Sequence, residues 1–380
     1  MPWQEVSTLK LRKDFVVLAS AAGANMSELC KRFGISRPTG YKWLERFRKQ
    51  GEEGLGDRSR RPHSCPNRTP EPVEKRIEEI YKQYKKHQWG ARKVWGCLRN
   101  EGYETLPAVS TVHAILARRA CLPERTPGYH PPYTRFEYPA PNELWQLDFT
   151  GHFAMEQGRC HPLPVLDDHS RFAVGLFACG NETTATVRSH LTTLFRQWGL
   201  PKRMLGDNGC PWGHPRAQAH SQLSVWLMRL GIVVLHGRAY HPQTQGKVER
   251  FHRTLRAELL SGRTWRDLAH TQAHFDDYRC VYNHQRPHNA LDLAVPASRY
   301  DMSPRPFPET LAPIEYGPDD VVRKVCDKGQ FSFNGRRHRI GKAFRGEPVA
   351  LRPSYEDGVY HVYYCSSRIA GIDLNKSQKA

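Results

Sequence analysis

Apolar and polar positions follow helical spacing near the start of the chain. Residues 26–33 form a short amphipathic segment, and Gly34 follows where a left-handed turn residue fits. Ser36 is suited to cap a second helix that runs to about Arg48. The pattern predicts two helices joined by a tight turn, within a domain that covers residues 1–55.

The second helix of this pair has a basic outer face. Thr39, Lys42 and Arg46 face outward if the aromatic residues of the helix are buried. This layout is typical of a helix-turn-helix whose second helix enters the major groove of DNA. An ordinary helical hairpin is the alternative.

A linker rich in arginine and proline covers residues 56–70, and such a segment cannot bury a core. Its Arg58, Arg60 and Arg61 either lie in a minor groove, as basic arms do, or belong to a solvated tether.

Helical spacing returns over residues 71–122, where three helices suit a second domain of the helix-turn-helix type. Two such units in series could read a longer DNA site than either alone. A connector containing proline and aromatic residues follows over residues 123–141.

Short apolar runs alternate with helical patterns over residues 142–290. The predicted elements, in chain order, are strands at 144–149, 163–166 and 171–178, a helix at 184–198, a strand at 203–206, a helix at 217–230, a strand at 232–236 and a helix at 247–260. Three strands in a meander followed by alternating helix and strand indicate an α/β core with a mixed sheet.

The last region, residues 310–375, alternates apolar and polar residues over several short runs. Asn334-Gly335 is a hairpin signal between two of them. The pattern predicts a small β-barrel-like or sandwich domain. Its basic residues fit either DNA contact or a simple packing module.

The net charge of the chain indicates which class of partner it binds. Lys and Arg number 57 against 38 Asp and Glu, which leaves a net charge of +19. Such an excess favours a nucleic-acid partner over a merely basic protein. No apolar run is long enough for a membrane span and no signal core opens the chain, so we expect a cytoplasmic protein that associates with the nucleoid when it binds DNA. The 10 cysteines show no zinc or disulfide spacing, so we expect reduced thiols.

Three carboxylates fall at places where α/β sheets bind ligands. Asp148 ends the first predicted strand, Asp207 follows a later strand, and Glu249 lies near the start of the last helix. Strand-end carboxylates converge at one rim of such a sheet. A carboxylate set without His or Cys is typical of magnesium rather than zinc, and a pair of such ions supports phosphoryl transfer.

The last predicted helix has one apolar stripe, made of Val248, Phe251, Leu255 and Leu259. Glu249, Arg253 and Arg256 share a neighbouring face, which places two guanidinium groups beside the carboxylate. Spacing alone slightly favours the commoner use of this pattern, a surface ladder of Glu–Arg salt bridges.

Spacing alone does not decide the roles of four further polar residues. Lys247 and His241 are candidate DNA contacts, although a plain loop histidine is the simpler interpretation of His241. Asp167 and Asp168 are rival ligands, but turn chemistry or hydrogen bonding to Ser170 explains them adequately.

At these residues the chain resembles insertion-sequence transposases of the retroviral-integrase-like superfamily. The matching blocks are LWQLDFTG, VLDDHSRFAVG, LPKRMLGDNGCPW and GIVVLHGRAYHPQTQGKVERFHRTLRAEL. The resemblance implies an RNase H-like catalytic core whose Asp148, Asp207 and Glu249 form an Asp-Asp-Glu triad, with Arg256 as the usual basic residue after the Glu. The interval of 249 − 207 = 42 residues is longer than is usual in the family.

The resemblance also implies a reaction and its partners. Two Mg²⁺ ions, replaceable by Mn²⁺, serve cleavage of double-stranded DNA at the ends of a mobile element and joining of the freed 3′-hydroxyls to target DNA. The helix-turn-helix units bind terminal inverted repeats, and a homo-oligomer pairs the two ends. A DNA-binding protein without catalysis and a nuclease without strand transfer are the competing functions.

Overall fold

The structure is a computed structural model that describes residues 7–57, 68–122, 137–207, 209–214, 219–236 and 246–375. Its contacts divide the chain into two compact units, Met1–Arg68 and Thr69–Ala380. No helix of the described residues has the length and apolar character to cross a membrane. The described cysteines are free thiols, as the sequence predicts.

The first unit contains three helices: α1 (Thr8–Ala19), α2 (Met26–Arg32) and α3 (Arg37–Gln50). Gly34 turns the chain before α3 with a φ of 65°, and Ser36 caps α3 by accepting from the amide of Thr39 at 3.4 Å. Gly40 lets α3 approach its neighbours, because a Cβ there would lie 2.7 Å from the Cys30 sulfur. The predicted pair of helices is therefore confirmed.

The second unit begins with a group of three helices: α4 (Glu71–Gln83), α5 (Ala91–Asn100) and α6 (Val109–Arg118). Their apolar faces enclose a core that includes Ile77, Val94 and Leu116, all fully buried. Burial of such stripes, rather than intrinsic propensity, stabilises helices this short.

A mixed sheet follows. Its strands are β1 (Trp145–Leu147), β2 (Phe153–Ala154), β3 (Arg159–Asp167), β4 (Ala173–Cys179), β5 (Arg203–Gly206) and β8 (Val233–His236). The spatial order is β4-β3-β1-β5-β8, with β2 paired to the start of β3. β1 runs antiparallel to β3 and parallel to β5, and β5 is parallel to β8. This arrangement confirms the predicted meander and α/β core.

Both faces of the sheet are covered by helices. They are α7 (Thr184–Trp198), α8 (Gln222–Arg229), α9 (Gly246–Leu255) and α10 (Leu268–His284). Apolar residues of α7 and α8 pack with Leu163 and Val165 on one face, while α9 and α10 pack with Cys160 and Leu166 on the other. This alternation along β3 is what a strand buried on both sides requires.

The C-terminal region is rich in strands, as predicted. They are β9 (Val321–Lys324), β10 (Gln330–Phe333), β11 (Arg336–Arg339), β12 (Pro348–Pro353), β13 (Val359–Tyr364) and β14 (Ser367–Asp373). Four of them form an antiparallel sheet in the order β14-β13-β12-β9, and β10 pairs with β11 through the predicted Asn334-Gly335 turn. We call this region the C-terminal module. Val225 and Met228 of α8 belong to its core.

Several elements differ from the prediction. The helix predicted from residue 217 begins at Gln222, because Ser221 caps it and the preceding residues form a short hairpin of β6 (Gly213–His214) and β7 (Ala219–His220). β3 is longer than predicted, since Pro162 and Pro164 interrupt its apolar pattern. The helix predicted to residue 260 changes at Arg256–Leu260 to a wider helical turn.

Candidate active site

Strand register brings two of the three predicted carboxylates together. Trp145 of β1 pairs with Met204 of β5, and Gln146 pairs with Leu205. Continued past the strand ends, this register sets Asp148 opposite Asp207. Neighbouring strands lie about 5 Å apart, so both residues leave the sheet at the same edge and on adjacent strands.

The electrostatics of the pair agree with this geometry. Burial and, to a smaller extent, the charges of Asp207 and Glu249 raise the pKa of Asp148 to about 7, against a hydrogen bond from the Phe149 amide. Burial also raises the pKa of Asp207, while the Gly209 amide, 3.0 Å from Oδ1, and His236 act in the opposite direction. The edge of the sheet therefore holds crowded, half-buried negative charge.

Glu249 lies in the first turn of α9 with its side chain exposed. The predicted apolar stripe of this helix is confirmed, because Val248, Phe251, Leu255 and Leu259 are all buried. Within the described residues Glu249 forms no salt bridge with Arg253 or Arg256. The helix therefore holds Glu249 at the rim near Asp148, and the salt-bridge ladder is not formed.

Two side chains, one on α9 and one at the start of the wider turn after it, reach back to the loop that follows β1. The ring of His252 hydrogen-bonds the backbone carbonyl of Asp148, and burial lowers the pKa of this histidine to about 4. One turn later, the Arg256 guanidinium donates to the carbonyl of Thr150. Arg256 thus holds the loop after Asp148, a role that spacing did not indicate.

Asp167 and Asp168 are structural in this arrangement. Asp167 accepts from the amide and hydroxyl of Ser170 at 2.8 and 2.6 Å, as the sequence suggested. Asp168 accepts from Gln146 at 2.7 Å and forms an ion pair with Lys247. Lys247, expected as a DNA contact, thus has a buried carboxylate as its partner.

Sequence spacing missed a fourth acid near the site. Glu182 precedes α7, and its charge helps to raise the pKa of both Asp148 and Asp207. Its Oε1 lies 2.7 Å from Nδ1 of His161 on β3. No motif marks Glu182, because its nearness to the site arises from the packing of β3 and β4 beside β1.

The other predicted contacts are distributed along the chain. Arg253 is exposed on α9. In the first unit Lys42 is exposed on α3, with its ammonium 5.0 Å from the Trp43 ring centroid, and Thr39 contacts the Ser36 hydroxyl at 2.9 Å. Arg58, Arg60, Arg61 and His241 lie outside the described residues.

The donor set fits a hard divalent cation. Asp148 and Asp207 present carboxylate oxygens, and neither has an ion-pair partner in the part of the chain that the structure describes. Cations neutralise such mutually repelling carboxylates, and oxygen donors suit Mg²⁺. Among the described residues, no three His, Cys, Asp or Glu side chains lie close enough together to hold a metal ion.

Models of known protein families match most regions of this architecture. Integrase core domain models match residues 139–242 and 230–296. The model of the C-terminal domain of IS481 family transposases matches residues 320–380, a helix-turn-helix model matches residues 12–63, and a homeodomain-like model matches residues 39–116. Over these ranges the chain resembles insertion-sequence transposases with an integrase core.

Two curated proteins illustrate the range of relatives of this chain. The uncharacterized 31.7 kDa protein of insertion element IS407 from Burkholderia multivorans is 31% identical over 158 residues, which cover 42% of this chain and 55% of that protein. The Gag-Pro-Pol polyprotein of Mason-Pfizer monkey virus is 35% identical over 120 residues, or 31% of this chain and 6% of the polyprotein. The chain thus spans about half or less of the length of these relatives.

Solved structures with a similar chain path include two viral integrases. One is the simian T-cell lymphotropic virus intasome in complex with PP2A regulatory subunit B56 gamma, with a TM-score of 0.36, 16% identity and coverage of 77% of this chain and 99% of that one. The other is the HTLV-2 integrase catalytic core domain in complex with magnesium, with a TM-score of 0.31, 14% identity and coverage of 42% and 97%. Both TM-scores are too low for the likeness to bear on fold or mechanism.

Proposed function

We propose that the chain is a Mg²⁺-dependent polynucleotidyl transferase that cleaves DNA at the ends of a mobile element and joins the freed 3′-hydroxyls to target DNA. The observation that carries this proposal is the register that sets Asp148 opposite Asp207 at one edge of an integrase-type sheet. Glu249 on α9 completes the proposed triad, because its charge reaches Asp148.

Asp148, Asp207 and Glu249 would hold two Mg²⁺ ions, and Mn²⁺ is expected to substitute. When bound, such ions polarise phosphate oxygens and stabilise both the attacking and the leaving oxygen of a phosphodiester. Asp148 and Asp207 supply oxygen ligands at fixed spacing, while Glu249 closes the set from the helix side.

Residues around the triad prepare this site. His252 and Arg256 hold the carbonyls of Asp148 and Thr150, so that the first carboxylate keeps its direction. Arg253, exposed one turn after Glu249, is suited to a phosphate of the bound strand. Lys42 and Arg46 on α3 would contact the terminal inverted repeat, where a homo-oligomer pairs two ends.

The proposal is tested with oligonucleotides that carry an element end and with Mg²⁺. Asp148→Asn and Asp207→Asn should each abolish cleavage and leave end binding nearly unchanged, because the amide keeps the size of the side chain but removes the charged ligand. Asp276→Asn is the matched control, since Asp276 is an exposed carboxylate on α10.

The products distinguish the competing functions. Undiminished cleavage by either Asp148→Asn or Asp207→Asn would contradict the assignment of the triad. Cut ends without joined product in the wild-type protein would indicate a nuclease, and binding without any cleavage would indicate a DNA-binding protein alone.

A further inference from the structure

The segment that follows Asp207 carries a buried aromatic ring directly behind the strand end. Trp212 is 4% exposed and packs on Gly206, the residue before Asp207. A Cβ at Gly206 would lie 2.9 Å from Cγ of Trp212, which is closer than side chains tolerate. The lack of a side chain at Gly206 therefore lets the indole ring press against the backbone that carries Asp207.

The same ring contacts the strand that carries the other aspartate. Its centroid lies 6.3 Å from that of Phe149, the residue after Asp148, at an interplanar angle of 37°. Aromatic rings at this separation pack favourably and with defined orientation. One side chain thus lies between the neighbour of Asp148 and the neighbour of Asp207.

The backbone of Trp212 is fixed from outside its own loop. The Ser221 hydroxyl donates to the Trp212 carbonyl at 3.0 Å while Ser221 caps α8. The next ring along β7, that of His220, packs edge-on against Phe344 of the C-terminal module at 5.3 Å. Trp212 therefore directly precedes a short hairpin that is tied to the start of α8 and contacts the C-terminal module.

The ring also has little room to move. The cavity behind it has a volume of about 10 Å³ and is lined by apolar residues that include Leu147, Met204 and Leu227. That is about the space of one water molecule, so an indole ring cannot shift into it. A smaller side chain at this position would leave both strand ends less constrained.

We propose that Trp212 is a positioning residue that sets the separation of the Asp148 and Asp207 carboxylates and, through it, the affinity of the site for a divalent cation. This inference rests on the proposed function, since it concerns the same carboxylates. In this role Trp212 acts through its contacts with Gly206 and Phe149.

The test compares two tryptophans of one core in the full-length protein. Trp226 on α8 is 8% exposed and packs on Phe195 at 5.7 Å, whereas the ring against Gly206 and Phe149 is that of Trp212. Trp212→Leu and Trp226→Leu should lose comparable thermal stability in EDTA. Calorimetric titration with Mg²⁺ and Mn²⁺ then separates a general packing loss from a change in the site.

We expect Trp212→Leu to weaken cation binding by about 10- to 100-fold, as loss of groups that orient metal ligands does, and Trp226→Leu to change it less than about twofold. Trp212→Phe, which keeps a ring, should lie between the wild type and Trp212→Leu. Gly206→Ala should weaken binding as well, because its methyl group displaces the indole ring. If Trp212→Leu does not fold, the cation affinities of Trp212→Phe and Gly206→Ala test the inference instead.

Equal cation affinity in the Trp212 and Trp226 variants would overturn the inference and leave the proposed function intact. A wild-type protein that binds neither cation, with or without an element-end duplex, would overturn the proposed function and this inference with it.

Discussion

The two helical groups, α1–α3 and α4–α6, share a layout of three short helices but use their cations in opposite ways. In the first group Lys42 and Arg46 lie 5.0 Å from the Trp43 ring centroid, and neither forms an ion pair within the described residues. Their charged ends remain available for phosphates. Arg12, at 4.0 Å from the same ring, instead ties α1 to the Leu55 carbonyl.

In the second group the arginines are matched with carboxylates. Arg118 and Arg119 both bind Glu74, which is 1% exposed, and Arg119 also binds Glu71 and Glu78. These contacts join α6 to α4. These arginine charges are therefore paired with carboxylates within the fold instead of serving DNA binding.

The second group is also attached to the catalytic core. Lys93 of α5 lies 3.0 Å from Glu258, which lies in the turn after α9 and also binds Arg286 at 2.9 Å. Gly96 sits so close to Pro287 that a Cβ would come within 2.8 Å of it. The comparison teaches that one layout serves two purposes. The helices α1–α3 keep cations without ion-pair partners among the described residues, whereas α4–α6 hold the helical segment that follows Glu249.

The largest expected effect comes from breaking this attachment. Burial alone would raise the pKa of Glu258, but Arg286 and Lys93 outweigh burial and lower it. Glu258→Ala leaves the buried Arg286 and the partly buried Lys93 without this carboxylate and should lower the free energy of unfolding by about 3–5 kcal/mol. Chemical denaturation measures this, with the exposed Glu79→Ala as control. A loss no larger than that of the control would show that α4–α6 are not held in this way.

The second largest expected effect is a pH dependence of the free energy of unfolding of the unit Thr69–Ala380. Because the pKa of Asp148 is raised to about 7, the folded chain binds this proton more tightly than the unfolded chain does. Without divalent cations, the free energy of unfolding should therefore fall as the pH rises from about 4 to about 7, and level off above that range.

Asp148→Asn removes this dependence. At about pH 8 in EDTA the variant should be more stable than the wild type by about 1–2 kcal/mol, after allowance for solvent screening of a half-buried group, and the difference should vanish near pH 4. Parallel stability curves for the two proteins would contradict the assignment of this titration to Asp148.

The smallest expected effect concerns the salt dependence of DNA binding and tests Lys42 and Arg46, the unpaired cations of the first group within the described residues. Lys42→Ala and Arg46→Ala should each reduce the slope of log affinity for duplex DNA against log salt concentration by about one unit, since each removes one phosphate contact. Arg119→Ala removes the same charge from the second group and should leave the slope unchanged. An equal reduction by Arg119→Ala would mean that both groups bind DNA.

Much of the core could be predicted from the sequence because its helices and strands have clean periodicity. α7 was predicted at 184–198 and β5 at 203–206, and both occur with those bounds. The apolar stripe of α9 likewise fixed which face of that helix is buried. Periodicity identifies the face of an element, and strand order then identifies the edge where ligands bind.

Partners of polar side chains could not be predicted in this way. Lys247 and Arg256 belong to the same predicted helix as Glu249, yet they bind Asp168 and the Thr150 carbonyl, which lie far away along the chain. α10 was missed because its buried positions include Thr271 and Asn283 beside aromatic residues, so its apolar pattern is weak. α1 was missed as well; it exposes Leu9 and Val17 besides burying Phe15.

The ion cluster of Lys93, Glu258 and Arg286 limits how this protein can be divided or recombined. A fragment that begins at residue 137 would retain Glu258 and Arg286 but lose Lys93, and it would uncover Pro287. A chimera that borrows α4–α6 from a relative would have to exchange both sides of the cluster together. The boundary for an independent piece of the chain therefore lies near Thr69, ahead of these helices, and not at the first strand of the sheet.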